Sequence, residues 1–179
     1  EKYTLDNINM GKVLFGLRAR ASDPKDKDRY TKALALLRSQ LDTHDAAARQ
    51  MEDAMTSTQA DVRAFLESWS AAIRAKDIDR VMSVYSPDAV YFDLVPPLRF
   101  TGAAAVRRNF LRWFDGWQSS IGQEIRDLNI VASGDVANAY MLIRASGTLK
   151  NGQEVGYWVR ATVCCQRSSQ GWLITHEHI

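Results

Sequence analysis

The stretch WSAAIRAKDIDRVMSVYSPDAVYFD, residues 69–93, changes its periodicity twice. Trp69, Ala72 and Ile73 recur at helical spacing and complete an apolar face that starts at Val62. Asp77 is placed to cap a second, shorter helix with Ile78, Val81, Met82 and Tyr85 turned inward, and Ser86-Pro87 stops it. Ala89 to Asp93 then reads as a short strand. Two helices running straight into a strand predict a mixed α+β domain.

Upstream of this stretch, Thr58 with Asp61 has the spacing of a capping box, so the first of these helices is expected over about residues 59–75. Before it, Tyr30, Leu34, Leu37, Leu41, His44, Ala48, Met51 and Met55 recur in alternating steps of four and three, a seam suited to packing on another helix. His44 then reads as a register-setting polar residue. The same spacing crosses residues 56–58 without Gly or Pro, which leaves open one continuous helix. ASDPKDKD, residues 21–28, reads as a solvated loop between this seam and a short helix around Asp6–Arg20. The division expected is a helical extension over 1–58 and a domain over 59–179.

Downstream, Pro96-Pro97 breaks the strand, and Thr101-Gly102 leads into a helix carrying Val106, Phe110, Trp113, Phe114 and Trp117. Four strand-like runs follow, near 121–132, 136–149, 154–167 and 172–179. Ser133-Gly134-Asp135, Lys150-Asn151-Gly152 and Ser168–Gly171 separate them, with the composition of hairpin turns, so an antiparallel meander is expected. Strands of this length curl, and about three helices would fill the concave side, giving a cone with a pocket.

Composition narrows the chemistry. The chain has 179 residues, 46% hydrophobic and 25% charged, which excludes collagen-like, disordered and disulfide-scaffold classes. Its net charge of +2, with one tight basic cluster at Arg107, Arg108 and Arg112, argues against nucleic acid as a partner. No run is apolar enough for a membrane span. The adjacent Cys164 and Cys165 point to opposite faces of a strand and form no disulfide framework, which suggests a cytoplasmic, reducing location. The chain starts at Glu1 without Met, so a removed leader stays open.

WSAAIRAKDIDRVMSVYSPDAVYFD together with VPPLRFTG at 95–102 and GWLITHEHI at 171–179 resembles the SnoaL-like, ketosteroid isomerase-related proteins of the nuclear transport factor 2-like superfamily. The resemblance covers residues 59–179. It implies the cone-shaped α+β fold, a curved antiparallel sheet packed on about three helices; residues 1–58 lie outside it and read, from their seam, as an additional helical arm. It also implies a homodimer formed through the sheet. In the isomerases an Asp ending the first strand moves a proton, while a Tyr of the first helix and an acid on a late strand hold the oxyanion. Asp93 matches the base. Trp69 stands where the Tyr would be, and the late strand offers Trp158, Arg160 and Thr162 with no obvious acid, so the steroid mechanism does not carry over whole.

The resemblance turns His176 and His178 inward, with Thr175, Glu177 and Ile179 on the other face. By the same matching Tyr140, Leu142 and Arg144 face in from one neighbouring strand, and Trp158, Arg160, Thr162 and Cys164 from the other. The expected catalytic residues are thus Asp93, His176 and His178. Trp69, Trp113, Trp117, Tyr140, Arg144, Trp158, Arg160 and Thr162 are expected to bind substrate. A carboxylate partly withdrawn from water suits proton abstraction beside a carbonyl, and imidazoles suit acid, base or oxyanion roles. The rival structural readings are an Asp93 that caps backbone N–H groups near Pro96, a His pair held in a hydrogen-bonded network, a Trp113 and Trp117 stripe that is core, and an Arg160 that pairs with Asp93. His176, His178 and Asp93 also make an incomplete ligand set, and neither metal nor cofactor is expected. The function expected is a cofactor-independent proton transfer of isomerase, cyclase or hydratase type on a small apolar carbonyl-bearing or cyclic molecule. A non-catalytic ligand-binding or dimerisation module is the alternative.

Overall fold

A computed structural model describes the backbone over residues 2–179 and the side chains from residue 9 onward. The chain forms one compact unit reaching Ala54 and a second from Met55 to Ile179.

The first unit contains α1 (Lys2–Arg20) and the start of α2 (Pro24–Arg74). Helix α2 begins inside the stretch read as a loop. The Asp23 side chain accepts the Lys25 N–H at 2.7 Å and Pro24 takes the first helical position, where its missing N–H is no loss. Helix α1 meets α2 beside Gly11, where a Cβ would stand at an ordinary contact distance of 3.5 Å from Leu37 Cδ2. The α2 helix is continuous through residues 56–58, so Thr58 has no helix start to cap. Asp61 instead pairs with Arg167 at 3.2 Å.

In the second unit α2 buries Val62, Leu66, Trp69, Ala72 and Ile73, the face that the sequence periodicity marks. The Asp77 side chain accepts the Arg80 N–H and caps α3 (Ile78–Met82). Strand β1 (Tyr85–Phe92) starts earlier than residue patterning suggests, so Tyr85 is a strand residue rather than a helical one. Pro87 is tolerated because the pairing of β1 is irregular between Tyr85 and Val90. A short β2 (Arg99–Thr101) pairs antiparallel with β1, and α4 (Ala103–Asp115) follows.

The remaining strands are β3 (Gly122–Ser133), β4 (Val136–Thr148), β5 (Glu154–Ser168) and β6 (Gly171–His178). They pair in sequence as the turns predict, Gly134 supplying the positive φ of 56° in the β3–β4 hairpin. The six-stranded order is β2-β1-β6-β5-β4-β3, and β1 lies parallel to β6, a long-range pairing that no turn encodes.

One irregularity decides the chemistry. Cys164 opposes His176 whereas Cys165 opposes Ile174, so Thr175 is an additional residue on β6. Its hydroxyl donates to the Cys164 carbonyl at 3.2 Å. A one-residue bulge reverses the alternation of everything after it. Trp172 and Ile174 are buried before the bulge, and Glu177 is buried after it.

Candidate functional site

A cavity of about 520 Å³ opens in the second unit. Trp69 and Ile73 of α2, Phe110 and Trp113 of α4, Trp117, Ile143 of β4 and Val159 of β5 form apolar walls. Its polar lining comes chiefly from Asp93, Asn109, Arg112 and Glu177.

Asp93 follows β1 and is well covered, with 15% of its side chain exposed. One carboxylate oxygen accepts the Leu94 N–H at 2.7 Å, and the other accepts the Asn109 amide N–H at 2.7 Å. The Arg112 guanidinium lies 3.8 Å from the same oxygen and donates to Asn109 Oδ1 at 2.8 Å. Asp93 therefore does bind a backbone N–H in the manner of the structural reading, and it also borders the cavity. Its cationic neighbour is Arg112 rather than Arg160.

Glu177 is 2% exposed and follows the bulge residue Thr175 by two positions on β6. Tyr85 donates its hydroxyl to Glu177 Oε2. Burial pushes the Glu177 carboxyl up to about 8; the Tyr85 hydrogen bond works against that rise and the nearby Asp93 charge adds to it. At pH 7 the protonated form of this group therefore predominates. Burial, and then Glu177, hold the Tyr85 phenol well above its ordinary range, and the same causes raise that of Tyr91. The Trp69 indole N–H comes near the Tyr85 hydroxyl, yet it has no acceptor in hydrogen-bonding geometry and is fully buried.

The structure thus brings Asp93, Trp69, Trp113 and Trp117 together around one cavity. The inward placement of His176 and His178 is corrected: the Thr175 bulge puts Glu177 and Ile179 on the cavity wall in their stead. His176 donates Nδ1–H to the Val90 carbonyl at 2.9 Å, and His178 packs on the Phe92 ring at 5.7 Å. The inward placements of Tyr140, Leu142 and Arg144 and of Trp158, Arg160, Thr162 and Cys164 are corrected too. Met141, Ile143 and Ala145 of β4 and Ala161, Val163 and Cys165 of β5 are the buried partners, which by alternation leaves the former set on the outer face. Tyr140 is 51% exposed there. Among the described residues no group of three or more His, Cys, Asp and Glu side chains is spaced to hold a metal ion.

Sequence reasoning missed Glu177, Tyr85 and Asn109. A signal for Glu177 existed. Trp172 and Ile174 fit one strand parity and Ile179 the other, a change of parity that a bulge between them produces.

No helix among the described residues is long and apolar enough to cross a membrane. No curated protein matches the chain. Among solved structures, a nuclear transport factor 2-like protein of unknown function from Pseudomonas putida is 28% identical, with TM-score 0.63 over 69% of this chain and 85% of that one. A ketosteroid isomerase-like protein from Erwinia carotovora (20% identity, TM-score 0.59, 67% of this chain and 92% of that one) shares the fold. So does the association domain of C. elegans CaMKII (16% identity, TM-score 0.59, 70% and 97%). The family model described as the SnoaL-like domain matches residues 62–179, more than half of the sequence, and the chain therefore belongs to the SnoaL-like family within the nuclear transport factor 2-like superfamily.

Proposed function

We propose that the domain moves a proton on a small, mostly apolar, carbonyl-bearing or cyclic molecule held in the cavity, a cofactor-independent step of isomerase, cyclase or hydratase type. The observation that carries this reading is the pairing of two unlike carboxyl groups in one apolar cavity. Asp93 receives two N–H donors and a guanidinium, the surroundings of a carboxylate. Glu177 is buried and predominantly protonated at pH 7. A buried carboxyl raised toward 8 and a hydrogen-bonded carboxylate beside it offer an acid and a base to one cavity.

In this reading the walls of Trp69, Trp113 and Trp117 hold the apolar body of the substrate. Asp93 takes a proton from the carbon beside the carbonyl. The Glu177 carboxyl, with Oε2 already receiving the Tyr85 proton, offers its own O–H to the oxygen on which charge develops. His176 and His178 are not needed for either role. Returning the proton to a second carbon gives isomerisation, and attack of the enolate carbon on a second carbonyl gives cyclisation.

The test is deuterium exchange in D2O, followed by NMR, over a panel of neutral enolisable cyclic ketones. The expected result is exchange above the buffer rate for at least one member, slowed about 10²- to 10⁴-fold in Asp93→Asn. Exchange for none of them, or exchange unaffected by Asp93→Asn, contradicts the reading.

A second reading, a non-catalytic ligand-binding or dimerisation module, is favoured by the exposed Val131, Val136, Tyr140 and Trp158 on β3–β5. In that case the sheet pairs two copies of the chain, and the cavity binds without turnover. The free Cys164 and Cys165 suit a cytoplasmic, reducing location under either reading.

A further inference from the structure

A second concavity, of about 640 Å³, lies against the other face of β5 and β6. Its polar lining comes mainly from Arg160, Thr162 and His178, and Trp158 and Leu142 supply apolar wall. Thr162 and His178 are direct cross-strand partners, and Arg160 stands two residues before Thr162 on the same face. No Asp or Glu side chain lines it. Arg112, Arg126 and Arg167 each reach an acidic partner, whereas Arg160 has no ion pair among the described residues. The Arg126 guanidinium, paired with Glu124 at 2.6 Å, lies on the Trp158 ring at 5.0 Å.

The inner cavity is bordered instead by Asp93, Asn109, Arg112 and Glu177. The two hollows share Leu94, Tyr157, Val159 and Ile179 as lining. An unpaired guanidinium beside a hydroxyl and an imidazole presents donors in the fork that a carboxylate fits, and Trp158 offers a flat surface next to it.

We infer that this outer concavity is a binding site for a carboxylate carried on an aromatic or other flat apolar body. The carboxylate sits on Arg160 with Thr162 and His178 beside it, and the body lies along Trp158 and Leu142. This site is separate from the proton-transfer proposal and does not depend on it.

The experiment is a calorimetric titration of the full chain with 2-naphthoate and, as an uncharged ligand of the same body, 2-acetylnaphthalene. NMR amide shifts locate the bound ligand. Naphthoate is expected to perturb Trp158–Thr162 and His178, to bind more weakly as salt rises, and to lose about tenfold or more in affinity in Arg160→Gln. Arg107→Gln, an exposed pair with Asp79 outside the concavity, is expected to leave affinity unchanged. Equal affinity in Arg160→Gln, shifts confined to the inner cavity, or no binding at millimolar concentration overturns the inference. Sedimentation separates the main rival: a wild-type dimer that ignores naphthoate and dissociates in Arg160→Gln assigns the face to a second copy of the chain.

Discussion

The Tyr85 hydroxyl of β1 donates to the Glu177 carboxyl of β6, and both side chains are buried. The two residues are 92 positions apart in sequence, and the parallel pairing of β1 with β6 brings them together. A hydrogen bond to the carboxylate would favour ionisation, but desolvation outweighs it and leaves Glu177 titrating near 8.

That balance makes stability depend on pH with a definite sign. The Glu177 carboxyl titrates at about 8 when folded and near its ordinary 4.5 when unfolded, so between those values the native state holds a proton that the unfolded chain has released. Stability from this group is therefore complete below 4.5, declines as pH rises toward 8, and is constant above it. Urea unfolding across this range is expected to show the decline, amounting to a few kcal/mol at most, and Glu177→Gln to flatten it. An unaltered slope in Glu177→Gln would assign the decline to other groups.

Tyr85→Phe keeps the ring that packs edge-on against Phe110 at 5.8 Å but removes the donor to Glu177. A cost of about 1–3 kcal/mol is expected from the buried carboxyl oxygen left without a partner. The carboxyl should then titrate higher still, since the lost hydrogen bond was the influence lowering it. Denaturant midpoints with a carboxyl titration in the same variant check both parts.

Asn109 joins Asp93 to Arg112 through bonds of 2.7 and 2.8 Å. Asn109→Ala is expected to slow the exchange reaction more than it weakens ligand binding, because it loosens the aim of the carboxylate without removing cavity wall of comparable size. Equal effects on both, in exchange kinetics and calorimetry, would give Asn109 a packing role only.

Gly147 has a φ of 145°, and a Cβ there would fall 2.6 Å from Ser119 Oγ and 3.0 Å from the Ser120 carbonyl oxygen. Gly147→Ala is expected to destabilise by more than ~1 kcal/mol, measured by thermal or urea unfolding, through backbone strain and that collision together.

The sequence made the helical face from Val62 to Ile73 and the four-stranded meander legible, because periodicity and turn residues are local signals. The parallel contact of β1 with β6 is not local, and neither is the meeting of Tyr85 with Glu177. On β4 and β5 the alternation was readable: Ala139, Met141, Ile143 and Ala145 form a continuous apolar set, as do Val159, Ala161, Val163 and Cys165. Choosing the aromatic and charged set as cavity lining, on resemblance, went against that pattern. On β6 the pattern itself breaks at Thr175, and strict alternation past the bulge exchanges Glu177 for the two histidines. Asp93 escaped this error because it lies next to the strand end, where its neighbours Leu94 and Asn109 fix it.

The exchange reaction should carry the same signature as stability. Its rate is expected to fall as pH rises through about 8, when Glu177 loses the proton it donates, and Glu177→Gln, which keeps an N–H donor, should remove that alkaline limb at a reduced rate. A limb that survives in Glu177→Gln would belong to another group.

The most direct measurement is an infrared difference titration of the carboxyl bands, wild type against Glu177→Gln. The account requires one protonated-carboxyl band that persists at pH 7, disappears through about 8 and is missing from the variant. A Glu177 band already converted to carboxylate by pH 5–6 would contradict the division of roles between Glu177 and Asp93.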